Sequence, residues 1–124
     1  MTNSPEVNFS EVTPKIRELS KLCVNSSSID SSLFTKYEVN RGLRDLNGNG
    51  VLTGLTEISE IQSTKIVDGE CVPCDGKLFY RGVDVEEIVG GFIREKRFGF
   101  EEVTYLLLFG KLPNRSELSE FTQI

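Results

Sequence analysis

Apolar positions recur at helical spacing near the start of the chain, where Ile16, Leu19, Leu22 and Cys23 fall on one face. Thr13 and Pro14 precede them. Threonine accepts a backbone N–H as a cap and proline suits the first helical position, so a helix opens here. The polar run Asn25 to Ser32 then breaks the pattern. Phe34 and Tyr37 predict a second short helix over Leu33 to Arg41, with both rings buried and Gly42 as its stop.

The period changes in the middle of the chain. Asp45-Leu46-Asn47-Gly48-Asn49-Gly50 is turn composition, and Val51 to Ile61 is rich in β-formers. Two Asp-Gly pairs follow, Asp68-Gly69 and Asp75-Gly76, set between Lys65-Ile66-Val67, Cys71-Val72 and Lys77-Leu78-Phe79-Tyr80. Asp-Gly between short apolar runs is the signature of a tight hairpin turn, so this stretch predicts a small antiparallel meander. Strands this short must lean on helices.

Helical spacing then returns. Asp84 with Glu87 makes an N-terminal capping pattern, and Val85, Ile88, Val89 and Phe92 form an i, i+3, i+4, i+7 stripe. Gly90-Gly91 weakens that helix, which ends in Arg94-Glu95-Lys96-Arg97. A further helix over Phe100 to Phe109 is apolar on nearly every side, which predicts burial on most sides. Gly110 stops it and Pro113 prevents its resumption. Asn114 with Glu117 opens a last helix carrying Leu118 and Phe121 and running through Ile124. The other predicted helices are amphipathic, so the apolar one calls for neighbours beyond them, as in part of a larger helical protein.

Composition narrows the chemistry. Among 124 residues, 14 Lys+Arg face 19 Asp+Glu, a net charge of −5. That balance offers no broad basic face, so nucleic acid is not an expected partner. There is no histidine, which removes the commonest general base near neutral pH and the commonest metal ligand. The longest apolar run, Tyr105 to Phe109, is far short of a membrane span, and Met1 to Glu6 has no signal-peptide pattern. Three cysteines without a signal read as reduced thiols, and the expected location is cytoplasmic.

Each local motif has a bland reading beside its chemical one. Asp45, Asn47 and Asn49 stand at positions 1, 3 and 5 of a calcium loop with Gly50 at position 6, but position 12 is Thr56 and Glu57 comes one residue late. A Gly-Asn turn explains the loop better. Cys71-Val72-Pro73-Cys74 has too few companions for zinc and opens no helix, so it reads as an incidental pair in a β-turn. Arg94, Lys96 and Arg97 suit a helix C-terminus more simply than a phosphate site, and Glu101-Glu102 suit a helix N-terminus. In Tyr80-Arg81-Gly82, the arginine is placed to clamp a carbonyl or a carboxylate. No catalytic, cofactor-binding or metal residue is assigned on these patterns.

Gly50 to Ser59, Gly76 to Asp84 with its Tyr-Arg-Gly turn, and Phe100-Glu101-Glu102-Val103 through Gly110-Lys111-Leu112-Pro113 resemble, in this order, the N-terminal part of a bacterial-type citrate synthase. The resemblance spans about Arg41 to Phe121. It implies a mainly α fold with a small antiparallel β meander, the N-terminal part of the family's large helical domain. Residues 1–40 are then a polar terminus and helical extension, and 41–124 a truncated segment of the synthase domain. Gly99 departs by standing where the family often caps with Ser or Thr, and the Asp68 to Cys74 hairpin is longer than in the shortest members.

The resemblance also implies a homodimeric parent enzyme that condenses acetyl-CoA with oxaloacetate to give citrate and CoA. In that family an Asp removes the methyl proton, one His stabilises the enol, another polarises the ketone, and Arg residues hold the carboxylates. No histidine here matches, so no catalytic residue carries over, and the chain itself is expected to be an inactive structural fragment. Two other classes remain: a stand-alone interaction module using the exposed faces of helices 85–92 and 100–109, and a calcium-binding module on Asp45, Asn47 and Asn49.

Overall fold

The computed structural model describes residues 10–40, 42–45, 47–48 and 51–124. Among them lie five helices and one three-stranded antiparallel sheet. The helices are α1 (Pro14–Ser26), α2 (Ser32–Lys36), α3 (Val85–Arg94), α4 (Phe100–Phe109) and α5 (Arg115–Thr122). The strands are β1 (Ser59–Val67), β2 (Glu70–Tyr80) and β3 (Val83–Asp84), in the order β1-β2-β3.

Local chemistry explains most boundaries. Thr13 caps α1 by accepting the Ile16 N–H at 3.2 Å, with Pro14 at the start. Asp84 caps α3 through the Glu86 N–H at 2.9 Å. Asn114 and Glu117 form the full reciprocal box that opens α5. Gly110, at φ +74°, closes α4 in the left-handed region, with its N–H bonded to the Leu106 carbonyl at 2.8 Å.

The second helix is shorter than its apolar spacing predicts. α2 stops at Lys36 because Glu38 turns left-handed (φ +51°), sending the Val39 N–H to Phe34 O at 2.9 Å and its own N–H to Thr35 O at 3.2 Å. That Schellman closure needs no glycine, so Gly42 plays no part in it. Phe34 and Tyr37 are exposed rather than buried. Asn40 N–H, at 2.7 Å from Leu52 O, then ties the segment 51–56, which belongs to no helix or strand, back to α2's exit.

The meander exists, yet one of its two expected turns is elsewhere. Asp68 (φ +52°) and Gly69 (φ +85°) join β1 to β2 as a two-residue hairpin. Asp75-Gly76 is no turn. It sits inside β2, where Gln62↔Lys77 and Thr64↔Pro73 leave three residues of β2 against Ser63 alone. The pair therefore makes a bulge, and β2 runs through it. The second turn is Arg81-Gly82 (φ +49° and +81°), which folds β3 back on Phe79 and Tyr80.

The core has two sides: α3 packs on β2 and β3, and α4 packs on α5 and α1. Ile88, Tyr105 and Leu106 are its buried apolar side chains among the described residues. Tyr105, Phe109 and Phe121 stack edge-to-face and tilted, with centroids 4.5 to 5.9 Å apart, joining α4 to α5. The expected burial of α4 on most sides does not hold within this chain: Phe100 and Leu108 remain exposed. α5 ends at Thr122, short of the predicted run through Ile124.

Candidate functional site

The best-organised polar centre is built on the Tyr80-Arg81-Gly82 turn. Arg81 holds a left-handed backbone, fixed by its own N–H bonding Ile58 O at 2.9 Å. From there its guanidinium reaches two helix ends. Nε donates to the Leu107 carbonyl of α4 at 3.0 Å, and Nη1 to the Ser26 carbonyl of α1 at 3.1 Å. Carbonyls in a last helical turn lack intrahelical partners and carry partial negative charge, so one planar cation satisfies both. The Ser26 hydroxyl lies 2.8 Å from Leu108 O and 3.0 Å from Cys23 O. The arginine of this turn thus clamps carbonyls, one of its two expected roles.

A second cleft, about 190 Å³, opens between α1, α4 and α5 and is lined by Lys15, Glu18, Tyr105, Glu117, Glu120 and Phe121. Lys15 Nζ donates to Glu120 at 2.9 Å and to Glu18 at 3.4 Å. The Glu120 bond raises the Lys15 pKa, and the same bond lowers that of Glu120. Lys111 donates to Glu117 at 2.6 Å, while the Asn114 N–H reaches the other Glu117 oxygen at 2.8 Å. The Lys111 bond first, then the Asn114 N–H, hold the Glu117 carboxyl below its ordinary range. Carboxylates held ionised by lysines are weak proton acceptors near neutral pH, so this cleft fastens helices rather than moving protons. Sequence pattern could not show it, because Lys15 and Glu120 stand 105 residues apart.

The remaining motifs separate or find structural partners. Cys71 and Cys74 are free thiols inside β2, not in a turn. Val72 and Cys74 are half-buried while Cys71 and Pro73 are exposed, so the two sulfurs lie on opposite faces. Arg97 bonds Glu95 at 3.0 Å and pairs with Glu102, joining α3's exit to α4's first turn. That contact engages one of the two adjacent carboxylates, and Lys96 at φ +51° closes α3. Asp45 Oδ1 accepts the Asn47 N–H at 2.8 Å in an Asx turn, while Asn49 and Gly50 lie outside the described residues. Among the described residues, no group of three His, Cys, Asp or Glu side chains could hold a metal ion. No helix among them is long and apolar enough to cross a membrane.

Gly99 shows a constraint that the sequence conceals. A Cβ there would collide with the Phe92 ring, so glycine stands at α4's start for packing, and not merely as a weakened cap.

Comparison with known proteins identifies the family. A family model described as citrate synthase, C-terminal domain, matches residues 45–124. A citrate synthase of Synechocystis sp. is 47% identical over 47 residues, covering 38% of this chain and 10% of that protein. The 2-methylcitrate synthase 1 of Corynebacterium glutamicum is 36% identical over 84 residues, covering 68% of this chain and 16% of its own length. A citrate synthase of Saccharolobus solfataricus is 36% identical over 64 residues, covering 51% and 14%. No solved structure matches the chain. The chain thus spans well under a fifth of these relatives, while the family model covers more than half of the chain. The chain belongs to the citrate synthase family.

Proposed function

We propose that this chain is the N-terminal scaffold segment of a citrate synthase-like acyltransferase that condenses acetyl-CoA with oxaloacetate to give citrate and CoA. The observation that carries this reading is the family match over residues 45–124. The N-terminal placement rests on the order of the residue motifs from Gly50 to Pro113. Enol formation needs a positioned base and a hydrogen-bond donor in a closed pocket, and the chain contains no histidine. Its own contribution is structural: Arg81 sets the ends of α1 and α4 against the sheet. The parent works as a cytoplasmic homodimer. Phe98, at 93% exposure, and Phe100, at 78%, are surfaces for the rest of that assembly to cover.

The test measures CoA thiol release by the product of the complete reading frame, with and without oxaloacetate. Oxaloacetate-dependent release by the complete product, and none by residues 1–124, supports the proposal. Release by 1–124 alone overturns the scaffold role. A parallel arm with propionyl-CoA decides between the two activities named among the relatives. A second reading, a stand-alone interaction module, is favoured by the same exposed Phe98 and Phe100 together with Ile93. It takes first place if the complete product releases no CoA.

A further inference from the structure

We infer that α1 is a strap, clasped by polar contacts at both ends, that opens and closes as a unit over the aromatic cluster of α4 and α5. The helix lies outside the family-matched residues 45–124. None of its residues is buried. Ile16, Leu19 and Cys23 are only half-buried, around an apolar cleft of about 240 Å³ shared with Leu108, Phe109 and Phe121. Partial burial of three side chains is a weak hold for a 13-residue helix, so the clasps at its ends matter more.

The two clasps differ in kind. At the first turn, Lys15 and Glu120 pair at 2.9 Å with both side chains exposed, a contact that salt screens. At the last turn, the half-buried Arg81 guanidinium holds Ser26 O while also holding Leu107 O of α4, and the Ser26 hydroxyl adds a neutral bond to Leu108 O at 2.8 Å. The two arginine bonds are charge-assisted, and the arginine is itself pinned in its hairpin turn by the Ile58 carbonyl. Arg81 is therefore the fixed post, and the C-terminal end of α1 is what it retains. Lysine concentrates its donors on one atom and cannot span two carbonyls from this position.

Cys23 reports the motion. It lies between the clasps, on the cleft side of α1. With Cys71→Ser and Cys74→Ser as background, the rate of thiol labelling reads Cys23 alone. In the full chain, Arg81→Ala is expected to raise that rate about tenfold or more, the order by which losing charged hydrogen bonds shifts an opening equilibrium. Amide protection in α3 and α4 stays. Arg81→Lys falls between the two, and Lys15→Gln gives a smaller rise that disappears at high salt. An unchanged Cys23 rate in Arg81→Ala overturns the strap. So does loss of α3 and α4 protection together with α1 in both Arg81 variants, because α1 would then belong to one cooperative core.

Discussion

Lys96 and Gly99 stand three residues apart in the link between α3 and α4, and each occupies the conformation that would suit a different residue. Lys96 sits at φ +51°, with its N–H on Ile93 O at 3.2 Å and the Arg97 N–H on Phe92 O at 3.0 Å, the Schellman position that glycine fills at least cost. Lys96→Gly is expected to stabilise the chain by about 0.5–1 kcal/mol, the relief of left-handed strain less the lost charge at the helix end. A urea midpoint that falls instead of rising would contradict this. Gly99 has the reverse relation to its neighbours. Its φ of −106° suits any residue, but the Phe92 ring fills the space of a side chain. Gly99→Ala is expected to destabilise by about 1–3 kcal/mol, the cost of overpacking, with the Phe92 ring displaced in the variant's structure. Neither role was readable from residue type. The cap of Asn114 and Glu117 was, because that signal is complete within four residues.

At the scale of elements, two identical dipeptides took different fates. Asp68-Gly69 and Asp75-Gly76 carry the same local signal, and a tight turn at each is the natural expectation. Cross-strand pairing decides otherwise. Once Asp68-Gly69 sets the register, Val67↔Glu70 through Thr64↔Pro73 zip up, and Ser59↔Tyr80 through Gln62↔Lys77 pair at the other end. The extra residues between are absorbed as a bulge in β2. The two glycines should therefore respond differently. Gly69, at φ +85°, is needed for its backbone, so Gly69→Ala is expected to cost about 1–2 kcal/mol. Gly76 has no positive φ and open space where a Cβ would go, so Gly76→Ala is expected to fall within about 0.5 kcal/mol of the parent. Equal losses at the two positions would restore the three-strand, two-turn meander. The helices α1, α3, α4 and α5 were legible to within a residue or two at their starts, since caps and apolar stripes are local. α2's early end was not, because a non-glycine residue, Glu38, takes the left-handed closing position; nor were the bulge and the reach of Arg81, because both depend on partners distant in sequence.

For the whole molecule, a core of three buried apolar side chains among the described residues is supplemented by a small share of cohesion from exposed charged contacts, Lys15 with Glu120, Lys77 with Asp84 and Lys111 with Glu117. That share has a pH signature. Glu117 and Glu120 are held below their ordinary value of 4.5 by Lys111 and Lys15 respectively. Asp84 is held below 3.8, first by the Glu86 N–H and then by Lys77. A lowered carboxyl pKa contributes stability that is present above the unfolded value and lost as pH falls through the folded one. Lys15 and Lys111 are raised above 10.5 by the same glutamates, so their contribution is present below that value and lost as pH rises through the folded one. Stability should therefore be flat from about pH 5 to 10 and fall on both sides. The acid limb should begin in α5, which carries Glu117 and Glu120, before it reaches α3, whose carboxylate cap is Asp84. Hydrogen exchange followed from about pH 7 down to pH 3 checks the order. Simultaneous loss of α5 and α3 protection, starting above pH 5, would mean that groups other than these carboxylates set the acid limit.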